Sequence, residues 1–124
     1  TYERIEDSDI YFENNLDSDI SKKILRMMQT VVDSGTATEA KLEKYSVAGK
    51  TGTVRIIEDG KYKKDSHLAV FVGITPVSDP EYVAAIIVRK PKDGPASGGK
   101  NAAPIFKEFM SHSLNLLEVY PDRK

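Results

Sequence analysis

Five consecutive residues, Gly49-Lys50-Thr51-Gly52-Thr53, bring an ammonium, two hydroxyls and two glycines together. Residues of these types suit an anion: lysine offers a charge and three donors on a flexible stem, threonine adds hydroxyls, and glycine lets a ligand approach the backbone. Gly49-Lys50-Thr51 invites a phosphate-loop reading, which fails on two counts. That motif needs a glycine five positions before Gly49, where Lys44 stands, and a helix afterwards, where the β-branched run Thr53-Val54-Arg55-Ile56-Ile57 favours a strand. Without wider context, the run reads as a solvated lysine on a threonine-rich edge strand.

Other chemistries are restricted by what the 124 residues contain. There is no cysteine, which excludes disulfides, thiolate catalysis and cysteine metal sites. Two widely spaced histidines, His67 and His112, suit a strand start and a helix face better than a metal site. With 18 basic and 19 acidic residues the formal net charge is -1, so no field points to nucleic acid or an anionic membrane. No cofactor motif is present, and no apolar run reaches transmembrane length. The chain opens on Thr1 rather than methionine, which suggests a piece of something longer.

The elements that must position the run can be read from periodicity. Residues 1–18 are acidic and polar with no clear period, and are expected to form an irregular arm or connection. From Asp19 to Asp33, the apolar residues Ile20, Ile24, Met27, Met28, Val31 and Val32 recur at helical spacing, with Gly35 just after. Ser34 to Ser46 is expected to be a polar connection with a turn at Gly35-Thr36-Ala37. The strand Val47 to Ile57 comes next, and Asp59-Gly60 suits a hairpin turn needing positive φ. His67 to Thr75 and Tyr82 to Arg89 are apolar almost without alternation, which predicts strands covered on both faces. Pro91 to Lys100 is expected to be a glycine-rich loop. A last helix then carries Ile105, Phe106, Phe109, Met110, Leu114 and Leu117, with Pro104 in its first turn. Helix, three-strand meander and helix together imply an α+β structure with an antiparallel sheet, one edge of which stays open.

In this setting residues 19–121 resemble the transpeptidase domain of penicillin-binding proteins, and more narrowly the class B, cell-division type. The likeness is carried by the Met27-Met28 helix, Gly35-Thr36-Ala37, Val47 to Thr53, the meander, Gly98-Gly99, Ala103-Pro104-Ile105-Phe106 and the last helix. It implies the C-terminal portion of a penicillin-binding protein/serine β-lactamase-like fold, so residues 19–124 would be incomplete without upstream sequence. The family's signatures run Ser-x-x-Lys, Ser-x-Asn, Lys-Thr-Gly, and it works by serine acyl transfer. Only the third stands in its place. Ser97-Gly98-Gly99-Lys100 and Ser113-Leu114-Asn115 match the first two patterns but come after the Lys-Thr-Gly run, so neither is taken as catalytic, and the nucleophile is expected outside this chain.

The resemblance implies a part of a peptidoglycan D,D-transpeptidase that cross-links stem peptides and is acylated by β-lactams. Lys50 would place a positive charge near the substrate carboxylate and the absent Ser-x-Asn serine. Thr51 and Thr53 would hydrogen-bond that carboxylate, Gly52 would let the acyl group lie against the strand, and the Thr53 backbone N–H would be one oxyanion donor. Gly98 and Gly99 match a pair that the family places beside the cleft, often after tyrosines; here Ala96 and Ser97 precede them. The implied partners are the complementary N-terminal portion, the stem peptide, β-lactams and cell-division proteins. The implied location is the outer, periplasmic side of the cytoplasmic membrane, with the anchor in the missing part. A serine β-lactamase of related fold and a non-catalytic, partner-binding descendant remain alternatives. The fragment alone is expected to be inactive.

Overall fold

The computed structural model describes residues 17–92 and 96–124. The expected arm therefore lies almost wholly outside the described residues, as does part of the expected loop before Gly98. Helix α1 spans Ser18–Asp33. Its N-terminus is capped by the Asp17 carboxylate, which accepts the Asp19 N–H at 2.7 Å, satisfying one of the donors that a helix start leaves without a partner. A 3₁₀ turn at Thr38–Ala40 leads to strands β1 (Ala48–Glu58), β2 (Lys61–Thr75) and β3 (Tyr82–Arg89). A wide π-type turn at Gly98–Ala102 then runs directly into helix α2, Ala103–Leu116, with Pro104 in its first turn.

The strands form an antiparallel meander in the order β1-β2-β3. The hairpin closes at Glu58↔Lys61 through Asp59 and Gly60, whose φ values of 54° and 73° give the left-handed pair that matches the twist of the flanking strands. Strand β2 begins at Lys61 rather than His67, because the hairpin recruits the polar stretch after the turn; pairing overrides propensity there. A register irregularity interrupts this arm between Arg55 and Ile57.

The register sorts side chains onto two faces. One carries Thr51, Ala69, Phe71, Gly73, Ala84, Ile86 and Val88, and α2 closes it. Phe71 meets Phe106 edge-on, with ring centroids 4.9 Å apart and planes at 74°, a geometry worth roughly 0.5–1.5 kcal/mol beyond simple burial. The other face carries Val54, Val83 and Ile87, which are 49%, 68% and 63% exposed. The expected cover on both faces is thus found on one face among the described residues, and β3 alternates strictly between half-buried and exposed positions. An apolar run does not by itself say whether both coverings belong to the same stretch of chain.

Both helices depart from their expected stripes. In α1, Val32 is buried, Val31 and Met28 are half-buried, and Ile20, Ile24 and Met27 are exposed. In α2 the buried line is Ala103, Phe106, Met110 and Leu114, while Ile105, Phe109 and Leu117 face out. The connection at residues 34–46 is less polar in its role than its composition suggests, since Ala37, Ala40, Leu42 and Tyr45 are buried in the core. Helix α2 ends in a Schellman arrangement: the Val119 N–H reaches Leu114 O at 3.0 Å and the Glu118 N–H reaches Asn115 O at 3.2 Å, with Glu118 in the left-handed region.

Candidate functional site

Strand β1 is the outer strand of the described sheet, so alternate N–H and C=O groups along it face away from β2. Alternation puts Lys50 and Gly52 on the open face, and Thr51 and Thr53 on the face toward α2. The four residues thus flank, from both sides, an edge that no strand among the described residues pairs with, an arrangement suited to a ligand lying along that edge. Lys50 is exposed and its Nζ donates to the Thr51 carbonyl at 2.9 Å, so the ammonium folds back over its own strand. Thr53 is exposed, and Thr51 is half-buried with its hydroxyl 3.1 Å from that of Thr36.

Two close approaches hold this end of the strand. A Cβ on Gly49 would fall 2.4 Å from Phe71 Cζ, so the strand lies directly on the aromatic core. A Cβ on Gly98 would fall 2.2 Å from Val70 O and 2.8 Å from Gly52 O; one on Gly99 would fall 2.0 Å from Thr36 O. Only glycine lets the start of the last helix rest on β1 and on the turn that carries Thr36. The glycine pair is therefore a buried first turn of helix beside the Lys-Thr-Gly run rather than the expected loop, and it is tied to that run more closely than a loop would be. Gly52 differs: the nearest atom to its Cβ position is Val70 Cβ at 3.6 Å, so its open side is available to a ligand.

The two serine patterns that are out of order in the sequence have structural work instead. Ser97 is the N-cap of the turn: its hydroxyl accepts the Lys100 N–H at 3.4 Å and its N–H donates to Asn101 Oδ1 at 2.8 Å. Ser113, inside α2, donates its hydroxyl to Phe109 O at 2.9 Å. His112 bonds Glu108 O within the same helix, and His67 is half-buried in β2. Among the described residues no group of three or more histidine or carboxylate side chains could hold a metal ion.

Two features are not visible to sequence reading. Thr36 falls in the expected turn, but only its contact with Thr51 brings it to the site. The C-terminal tail beyond Pro121 carries no motif, although Asp122 accepts bonds from the Ser46 backbone and from the hydroxyls of Ser46 and Ser78. Burial pushes the Asp122 carboxyl up, but those bonds from Ser46 and Ser78 outweigh it and hold it below its ordinary value. A groove of about 890 Å³ lies between α1 and this tail, lined by Lys22, Leu25, Arg26, Val77 and Asp122 among others. None of Lys50 to Thr53 lines it, and its Ser46 and Ser78 hydroxyls are engaged with Asp122, so its size does not make it the reacting site.

Comparison with known proteins gives concordant results. The model of the family described as "Penicillin binding protein transpeptidase domain" matches residues 3–111. Stage V sporulation protein D of Bacillus subtilis (strain 168) is 40% identical over 106 residues, covering 86% of this chain and 16% of that protein. A probable peptidoglycan D,D-transpeptidase, PenA of Neisseria flavescens, is 35% identical over 104 residues, covering 83% of this chain and 26% of that protein. Among solved structures, the transpeptidase domain of Burkholderia pseudomallei penicillin-binding protein 3 superposes with a TM-score of 0.76 at 30% identity, covering 86% of this chain and 32% of that one. The chain spans about a quarter or less of the length of these curated relatives.

Proposed function

Because the chain belongs to the penicillin-binding protein transpeptidase domain family, we propose that it forms one wall of the acyl-transfer site of a class B peptidoglycan D,D-transpeptidase. Polypeptide outside these residues supplies the nucleophilic serine, its lysine and the Ser-x-Asn residues. That polypeptide also covers the open sheet face at Val54, Val83 and Ile87. The observation that carries this assignment is the edge of β1 left unpaired among the described residues, where Lys50 to Thr53 stand on a strand fixed from behind by Gly98, Gly99 and Phe71.

Each residue then has a defined task. The Lys50 ammonium swings from the Thr51 carbonyl to the carboxylate of the stem peptide or β-lactam. Thr53, an exposed residue, donates its hydroxyl to the same carboxylate, a charge-assisted bond worth roughly 1.5–3 kcal/mol. Thr51 exchanges its contact with Thr36 for a hydrogen bond to the same carboxylate. The Thr53 N–H donates to the oxyanion that forms as the serine attacks the carbonyl carbon; losing one such donor costs on the order of a hundredfold in rate. Gly52 leaves room for the acyl group at the strand edge. Gly98 and Gly99 set the strand's position and do not themselves contact substrate.

The family's chemistry on peptidoglycan implies work on the outer side of the cytoplasmic membrane, with cell-division proteins as neighbours. No described helix is long and apolar enough to cross a membrane. A labelled penicillin tests the division of labour. The full-length protein should form a stable covalent adduct on a serine outside residues 1–124, and the isolated chain should form none. An adduct on Ser97, Ser113 or any other serine of this chain would overturn it, and rapid turnover in place of a stable adduct would point to a β-lactamase.

A further inference from the structure

Three consecutive residues just before β1 are gripped by the C-terminal tail. The Arg123 N–H donates to Lys44 O at 3.1 Å, and the Tyr45 hydroxyl donates to Val119 O at 2.9 Å. Asp122 takes the third: its Oδ1 accepts the Ser46 N–H at 2.6 Å and its Oδ2 accepts the Ser46 hydroxyl. Ser46 passes these constraints on, since its carbonyl accepts the Thr75 hydroxyl at 2.8 Å and its own oxygen accepts the Val77 N–H at 2.8 Å. Every polar group of Ser46 is engaged. The ladder between β1 and β2 starts two residues later, at Ala48↔Ile74, so this cluster extends the pairing past the end of the sheet.

The carboxylate is itself held in place. The Ser78 hydroxyl donates to Asp122 Oδ2 at 2.9 Å, the neighbouring Arg123 guanidinium contacts Asp33 Oδ1 at 2.6 Å, and the Schellman end of α2 sets the direction in which the tail leaves the helix. Only Val47, Ala48 and Gly49, all buried, separate Ser46 from Lys50. A displacement at Ser46 therefore cannot be absorbed by a flexible stretch before it reaches the Lys-Thr-Gly run.

We infer that Asp122 is a positioning residue for acyl transfer: through Ser46 it fixes where β1 begins, and so where Lys50 and the Thr53 N–H stand relative to the nucleophile. The inference rests on the assignment of β1 as a wall of the transpeptidase site. Charge-assisted bonds of this kind at a partly open surface add modestly to stability, but they are directional, and catalytic geometry is sensitive to small displacements.

The test uses the full-length protein and a labelled penicillin, with acylation followed over time at several concentrations. If the unmodified protein is not labelled, the transpeptidase assignment fails and this inference with it. If it is labelled, Asp122→Ala should slow the acylation step at saturating penicillin on the order of tenfold while the concentration giving half-maximal rate changes far less. Ser46→Ala should slow it similarly, and the double variant should be no slower than the worse single one, as expected for one shared linkage. Asp122→Asn, which keeps the shape and an acceptor for the Ser46 N–H, should recover part of the rate, and it carries the test if Asp122→Ala does not fold. Acylation within about twofold of the unmodified protein in folded variants would overturn the inference. So would a loss that merely tracks the unfolded fraction, or losses that add in the double variant.

Discussion

The two ends of β1 are built to opposite specifications. At the Lys-Thr-Gly end, Gly49 lies on Phe71, Gly98 touches the backbone of Gly52 and Val70, and Thr36 meets Thr51. At the hairpin end, Gly60 has no atom within 4 Å of its Cβ position, the register is interrupted after Arg55, and Ile57 and Tyr62 are exposed. One strand is thus fixed where a ligand would have to be met in a set geometry and loosely held where only a turn is needed. In each place glycine is required for a different reason: close approach at Gly98, positive φ at Gly60.

Substitutions in the full-length protein can break or sharpen this contrast. Gly98→Ala should have the largest effect, because a methyl group 2.2 Å from Val70 O must displace backbone. A loss of about 3 kcal/mol or more is expected in denaturant unfolding. Gly60→Ala meets no steric obstacle and suffers only from its left-handed backbone, about 1 kcal/mol by the same measurement, with acylation unchanged. Equal losses at the two positions would remove the distinction.

Asp122 supplies a smaller, pH-dependent effect. Its folded value lies below the unfolded one, so its contribution is fully present above the ordinary aspartate range and is lost as pH falls through the lowered value. Unfolding free energies measured down through acid pH should fall more steeply in the unmodified protein than in Asp122→Asn, by under about 1 kcal/mol. Gly52→Ala should shift stability least, within about 0.5 kcal/mol, because Val70 Cβ at 3.6 Å allows an ordinary contact. If Gly52 leaves room for the acyl group, as proposed, its penicillin acylation should nevertheless drop.

Much of this is legible in the sequence, because the signals involved are local. The helical spacing of Ile20 to Val32 locates α1, the Asp59-Gly60 pair marks the turn, and Tyr82 to Arg89 matches β3 residue for residue. The features that escape sequence reading are set by contacts between distant segments. Hydrophobic period identifies an apolar face but not whether it meets this chain, so the outward stripe of Ile105 and Phe109 cannot be told from the inward one of Phe106 and Met110. The glycine pair resembles a loop because composition cannot reveal that Val70 and Thr36 lie within a methyl group's reach. Thr36 and Asp122 need bonds spanning 15 and 76 residues before their relation to β1 becomes visible.

The Asp59-Gly60 turn also bears on how the molecule can be used. Its two residues cap an arm that extends beyond the site, with open space around Gly60. Added peptide is best tolerated at exposed tips of this kind. A short epitope or a fluorophore attachment sequence spliced between Asp59 and Gly60 would report on the protein in living cells while leaving the distant end of the same strand undisturbed, and natural length variation should accumulate at the same point.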